Sequence, residues 1–290
     1  MGYVTIVPTT DIIMDIIMDT VMEASDMKKS TIKTYLINLK ESVERRERVL
    51  RETAGHRLLD IELVEAVDGR KMSAEEVTSR FHTLKFIYRY ERTPKRGEIG
   101  CTLSHRECYR RFLESDNEFA LILEDDVTFL YPVEETEEIL QQLTAKLSRR
   151  KSHLITLSIQ YIYYPGNSFQ INSFSVFKVS DAWGTCAYLI NRKAAKKLLS
   201  VSRASIVADD FVYMNCHGIR VDGIYPNLAA GASSMKQIDT EIQDNSICQL
   251  PRKDLPFRYM ARNFLLQKYW GLLLFFRVLA FRKIGLGRNE

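Results

Sequence analysis

FALILEDDV, residues Phe119 to Val127, is a continuous apolar run that ends abruptly in three consecutive carboxylates, Glu124, Asp125 and Asp126. A short apolar run of this kind reads as a strand. Side chains alternate along a strand, so Glu124 and Asp126 are expected on one side and Asp125 on the other. Two hard oxygen ligands at one strand end suit Mg²⁺ or Mn²⁺ that also binds substrate phosphates. A cation held there would neutralise charge on a departing nucleoside diphosphate. An acidic strand-to-loop junction is also a common solvated turn, and the run alone leaves both readings open.

The flanking segments supply a context. Thr34 to Leu39 (TYLINL) is a β-prone run followed by a charged helical stretch, Ser42 to Thr53. IELVEAVDG follows and ends on the turn signal Asp68-Gly69, and Ser73 with Glu76 forms a capping-box pattern that opens a helix. Gly97 to Ser115 is helix-like. Beyond the acidic run, Val133 to Arg150 reads as a polar helix, His153 to Ile159 as a strand and Tyr161 to Asn172 as an aromatic, loop-rich excursion. Thr185 to Ile190 reads as a strand and Arg192 to Leu199 as a helix. Strands alternating with helices predict an α/β sheet with helices on its faces. Neither an internal repeat nor a glycine-rich phosphate loop of the Walker or dinucleotide type is present.

Composition bounds the rest. With 290 residues, of which 46% are hydrophobic and 27% charged, the chain can bury a full core. Its 41 basic and 37 acidic residues leave a formal charge of +4, which is not the balance of a nucleic-acid-binding polycation. Cys101, Cys108, Cys186, Cys216 and Cys248 are widely spaced with no CxxC pair, which argues against a disulfide framework or zinc site and for a reducing compartment. Residues 1–27 lack a basic n-region and carry several acidic residues, so no export signal is expected; residues 1–30 read as an extension outside the folded domain of 31–256. From Phe257 to Glu290 basic residues are interleaved with aromatic and aliphatic ones. The uncharged stretch Tyr269 to Phe276 is too short to span a bilayer. Two readings of this tail stand: a basic amphipathic segment on an anionic membrane surface, or a helix docked on the core with a solvated face.

Further candidates are dispersed. Asp209-Asp210 is either a helix N-cap or the source of a general base. His105 and Arg106 lie on the helix leading to the acidic strand, where they contact donor phosphate or hold the motif. One of Arg45, Arg46 and Arg48 is a candidate for a diphosphate, against an exposed charged helical face. Trp183 beside Gly184 stacks a sugar or base, or fills the core. His217 is an isolated candidate ligand.

Taken in order, TYLINLKESVERRERV, AVDGRKM, GEIGCTLSHRECYRRFLES, FALILEDDVTF and WGTCAYLINRKAAKKLL resemble the family 25 glycosyltransferases, the lipooligosaccharide galactosyltransferases of Gram-negative bacteria. The likeness runs from about Thr34 to about Pro226. It implies a GT-A type nucleotide-sugar-binding fold with a Rossmann-like mixed sheet, a UDP-galactose donor, a divalent cation (Mn²⁺ or Mg²⁺) and an inverting displacement that forms a β-linkage on a lipooligosaccharide or related glycan acceptor. Position by position, Glu124, Asp125 and Asp126 match the acidic metal and donor motif, with Glu124 and Asp126 as ligands. Asn38 and Arg45 fall near the expected nucleotide. Gly100, Ser104, His105 and Arg106 match the helix before the acidic strand, and Gly184, Thr185 and Tyr188 the later Gly-Thr strand. Asp209 resembles the acidic residue that follows, and the doubled Asp209-Asp210 leaves the base between the two. The rivals are the same fold with UDP-glucose or a UDP-N-acetylhexosamine, a metal-dependent phosphohydrolase, and a non-catalytic membrane-associated nucleotide-sugar-binding protein. The expected location is cytoplasmic, on the inner membrane face if the tail binds lipid.

Overall fold

The acidic run forms strand β3 (Phe119–Glu124), whose interior residues are fully buried on both faces. Burial on both faces is why its apolar residues are continuous rather than alternating. In the computed structural model, which describes residues 31–232 apart from 148 and 159 and residues 256–282 apart from 277 and 279, β3 lies inside a nine-stranded mixed sheet. The expected extension at residues 1–30 lies outside the described residues, as does the end of the tail, residues 283–290.

The chain enters through β1 (Ile32–Asn38), crosses by α1 (Val43–Thr53) and returns in β2 (Leu59–Glu65), parallel to β1. Two short helices, α2 (Ala74–Arg80) and α3 (Thr83–Tyr90), and the long α4 (Arg96–Glu114) then lead back to β3, parallel to β1 on its other side. The strand order reverses at β1, so a crevice opens beyond the carboxyl ends of β1 and β3, the usual ligand position in an open α/β sheet.

After β3 come β4 (Val127–Phe129), α5 (Val133–Lys146), β5 (His153–Thr156), β6 (Tyr161–Ile171), β7 (Phe174–Ala182), β8 (Ala187–Asn191), α6 (Arg192–Leu199), α7 (Phe211–Cys216), β9 (Arg220–Tyr225), β10 (Ala229–Gly231), α8 (Phe257–Phe275) and β11 (Ala280–Arg282). The large sheet has the order β11-β6-β7-β9-β5-β8-β3-β1-β2, and β4 pairs with β10 in a separate two-stranded ribbon. The mixed α/β architecture read from the sequence is the one observed. Tyr161 to Asn172 is not a loop: it forms β6, antiparallel to β7. Pro165 and Gly166, which suggest a loop, lie where the register of that pair breaks, between Tyr163 and Ser168.

One core cluster joins Leu36, Leu121 and Leu123 to Val49 of α1 and Ile139, Leu140 and Leu143 of α5. The other joins Ile37, Ile122 and Tyr188 to Cys108, Tyr109 and Phe112 of α4 and Phe211 of α7. The alternation of β3 thus sends Leu121 and Leu123 toward α1, and Ile122 toward α4. It also fixes where the next two residues go.

The amino-terminal half of α4 meets the loop after β2 backbone to backbone. A Cβ on Gly100 would lie 2.3 Å from the Val67 carbonyl oxygen, and one on Gly69 would lie 1.9 Å from that of Arg96. Ser104 ties the two segments together, accepting the Val67 N–H at 2.8 Å and donating to the Gly100 carbonyl. Gly100→Ala is therefore expected to destabilise the chain by about 1–3 kcal/mol, measured by urea unfolding, because neither backbone can yield without moving α4.

Candidate active site

Glu124, on the α4 side of the sheet, is half-buried and receives two hydrogen bonds on one oxygen, Oε1: from His105 Nε2 at 3.1 Å and from the Thr185 hydroxyl. Its Oε2 takes none among the described residues. His105 is buried, and its Nδ1 lies 2.8 Å from the Tyr188 hydroxyl, which is 2.7 Å from that of Tyr109. One proton arrangement satisfies this chain with a neutral imidazole: Tyr109 donates to Tyr188, Tyr188 to Nδ1, and Nε2–H to Glu124. Burial pushes the Glu124 carboxyl up, but the hydrogen bond from His105, with Thr185 and Arg45, outweighs it and holds the carboxyl below its usual range. The group is an oriented carboxylate.

Asp125, the first residue of the turn after β3, points the other way, toward α1. Its Oδ1 lies 2.7 Å from Arg45 Nη2, and its Oδ2 accepts from Asn38 Nδ2 at 2.8 Å. Arg48 secures the following turn, donating to the carbonyls of Asp125 and Val127 and to the Thr128 hydroxyl. Asp126 follows in the same turn, which leads to β4. Its carbonyl accepts the Ala232 N–H at 2.7 Å, and its carboxylate is buried at the cavity wall.

These groups line one cavity of about 170 Å³ at the carboxyl ends of β1 and β3. Of the expected residues, Asn38, Arg45, Ser104, His105, Glu124, Asp125 and Asp126 all border it. Asp68 and Arg70, which the sequence reading did not single out as site residues, border it too. Arg70 is held by Asp68 through two parallel bonds, Nε to Oδ1 at 2.8 Å and Nη2 to Oδ2 at 2.9 Å. The turn signal Asp68-Gly69 was the available clue. The cavity therefore combines carboxylates with guanidinium groups, a suitable lining for a cation and a diphosphate together.

The atoms Cys101 Sγ, His105 N and a Glu124 oxygen also lie within 4.8 Å of one another. This is a poor site for a metal. Both His105 nitrogens are committed to hydrogen bonds, and burial first, then the charges of Glu124 and Asp209, push the Cys101 thiol well above its usual range. The donor set that fits a hard divalent cation is the oxygen pair of Glu124 and Asp126.

The doubled carboxylate divides cleanly. Asp210 caps α7, accepting the Tyr213 N–H at 2.7 Å, and also receives Arg89 Nη2 at 2.8 Å, Arg89 Nε and the Tyr90 hydroxyl. With its oxygens so engaged, Asp210 is a structural cap, which corrects its candidacy as a base. Asp210→Ala is expected to cost about 3 kcal/mol of stability in a chemical denaturation measurement, since it strands the Arg89 guanidinium. Asp209 has a different setting: Oδ2 accepts the Gly184 N–H at 2.8 Å, with Gly184 in the left-handed region at φ 90°. Burial pushes its carboxyl up by more than that N–H and its own backbone N–H pull it down, and the nearby Glu124 and Asp210 charges add to the rise. Through Gly184 and Thr185, Asp209 is linked to Glu124.

Two other expectations are corrected. Arg106 does not border the cavity; its guanidinium donates to the carbonyls of Leu198 and Val201 and fastens α4 to the end of α6. His217 is exposed, bonded to the Tyr213 carbonyl and stacked on the Tyr213 ring, away from the carboxylates.

Asp209 also borders a second cavity of about 750 Å³, walled by Asp181, Trp183 and one face of α8. Burial, partly offset by the Ala182 N–H and reinforced by the Asp210 and Asp209 charges, pushes Asp181 up to about 7. The folded chain thus holds this proton more tightly than the unfolded chain. The associated stability is fully present below the ordinary value of 3.8 and is lost as pH rises through about 7. Asp181→Asn is expected to flatten the fall in unfolding free energy across that window.

The family profile of glycosyltransferase family 25 (LPS biosynthesis protein) matches residues 31–213. The chain is 28% identical over 181 residues to human procollagen galactosyltransferase 2, covering 58% of this chain and 27% of that protein. To procollagen galactosyltransferase 1-A of Xenopus laevis it is 32% identical over 189 residues, covering 62% of this chain and 30% of the relative. The chain therefore spans less than a third of the length of these relatives. Among solved structures, an inositol-1-phosphate CTP transferase from T. maritima aligns over 75% of this chain and 93% of its own, at 11% identity and a TM-score of 0.37. With the profile extending over most of the described core, from β1 into α7, the chain belongs to glycosyltransferase family 25.

Proposed function

We propose that this chain is a divalent-cation-dependent, inverting glycosyltransferase of GT-A type that moves galactose from UDP-galactose to a saccharide of lipooligosaccharide or a related glycolipid, forming a β-linkage. The observation that carries the reading is the acidic end of β3, where Glu124 and Asp126 share a cavity with Arg45 and Arg70 at the point where the strand order reverses. The family's description as LPS biosynthesis proteins supports the acceptor class, and the galactosyltransferase names of the relatives support the donor.

Glu124 and Asp126 would hold the cation, which when bound supplies Lewis-acid neutralisation of the leaving diphosphate. Arg70, oriented by Asp68, adds positive charge in the same cavity. Asn38 and Arg45 hold Asp125 and so position the acidic turn. The acceptor enters the second cavity, where Asp209 takes the proton from its hydroxyl. That oxygen then attacks the anomeric carbon from the face opposite the leaving group; the new C–O bond forms as the bond to UDP breaks. The raised affinity of Asp209 for a proton suits it to accept one.

Isothermal titration with UDP-galactose, UDP-glucose and UDP-N-acetylglucosamine, each with Mn²⁺ or EDTA, tests the donor site. Saturable binding of UDP-galactose that EDTA abolishes is expected. Stronger binding of another UDP-sugar would correct the donor, and binding indifferent to EDTA would remove the cation from the account.

A further inference from the structure

No helix among the described residues is long and apolar enough to cross a membrane, yet α8 leaves a large apolar surface uncovered. The helix is fastened by one face. Tyr259 stacks on Tyr88 of α3 with ring centroids 4.6 Å apart, and Asn263 Nδ2 donates to the Arg89 carbonyl and to Glu91 at 2.9 Å. Asn263, Leu266, Gln267, Trp270 and Leu274, at helical spacing, continue that face along the wall of the second cavity.

The opposite face has the same spacing and a different content. Phe257, Phe264, Leu265, Lys268, Leu272 and Phe275 fall on it, with Phe264 58% exposed, Leu265 64%, Leu272 56% and Phe275 79%. Such a stripe on a soluble surface marks a contact. Its charge identifies the kind of contact. From Phe257 to Arg288 the sequence has seven basic residues and no acidic one, although the whole chain is nearly balanced. On this face Lys268 lies over the Phe264 ring, which puts a cationic head at the level of the aromatic groups. Aromatic and aliphatic groups with a cation among them, exposed on a segment that is basic throughout, match an anionic bilayer interface.

We propose that the outward face of α8 docks on an anionic lipid surface, and that the cavity walled by its inward face therefore receives saccharides carried on lipid. The first part stands on the helix alone; the second rests on the transferase reading above. Because one helix serves as both membrane contact and cavity wall, docking places the cavity beside the headgroup layer, within reach of a lipid-linked acceptor and not of one confined to bulk water.

The test is flotation of the full chain with vesicles of phosphatidylcholine, alone or mixed with phosphatidylglycerol, alongside the double variant Leu265→Glu/Leu272→Glu. Neither residue borders a cavity described above, so UDP binding by calorimetry should be unchanged. The expected result is flotation with the anionic vesicles, weakened by salt, and a bound fraction lowered at least about tenfold in the variant. Absence of flotation, or equal flotation of both forms, would overturn the proposal. So would a wild-type dimer that the double variant dissociates without either form floating, since the face would then meet a second copy of the chain. For the acceptor, transfer to a vesicle-borne glycolipid should fall in the variant while transfer to a soluble saccharide holds; equal loss on both would remove the acceptor half. Flotation with no transfer to either acceptor would reject the transferase reading and support the lipid surface.

Discussion

Asp209→Asn is expected to lower turnover by about 10²–10⁴-fold, the range for removal of a general base, with UDP binding and the folded state preserved. The substitution keeps the size of the side chain and an acceptor oxygen for the Gly184 N–H, so the loop before β8 should stay in place. It removes the carboxylate proposed to take the acceptor's proton in the second cavity. Asp210 is the internal control. Its loss should appear as instability, because its oxygens serve Arg89, Tyr90 and the start of α7. If Asp209→Asn kept near-normal turnover, the base would have to be sought elsewhere in the second cavity, with Asp181 the next group to change.

The second large effect concerns the cation. Asp126→Ala should abolish most turnover, by about 10³-fold or more if a bound cation supplies several kcal/mol of charge stabilisation. Its far-ultraviolet circular dichroism should match that of the unaltered chain, since the strand is held by its neighbours β1 and β8 and not by this side chain. Calorimetric titration of Mn²⁺ in the presence of UDP should show the same loss. Near-normal activity would exclude Asp126 as a ligand.

Much of this site was legible from β3. The continuous apolar run implied a strand, and alternation separated Glu124 from Asp125, as the two sets of partners do. Asp126 follows the end of the strand, and its position is set by the Arg48 clamp and the pairing of β4 with β10, which depend on residues distant in sequence. The role of Asp210 was present as one of two readings, but choosing between them needed Arg89, more than a hundred residues earlier. Arg106 shows the converse: its place on the right helix does not give its direction, and it faces α6. The strand β6 was hidden because Pro165 and Gly166 mark a break in pairing that local sequence cannot distinguish from a loop. Arg70 emerged only when Gly69 and Gly100 were seen in contact, since that contact brings the loop after β2 over the cavity.

The most direct measurement is product formation: the purified chain with UDP-galactose, Mn²⁺ or EDTA, and saccharide acceptors ending in galactose, glucose or N-acetylglucosamine, read by mass and by the proton coupling at the new anomeric centre. The expected product carries one added hexose in a β-linkage, and its formation is lost with EDTA. Transfer that persists in EDTA, a retained α-linkage, or no transfer from any UDP-sugar to any acceptor would contradict that expectation.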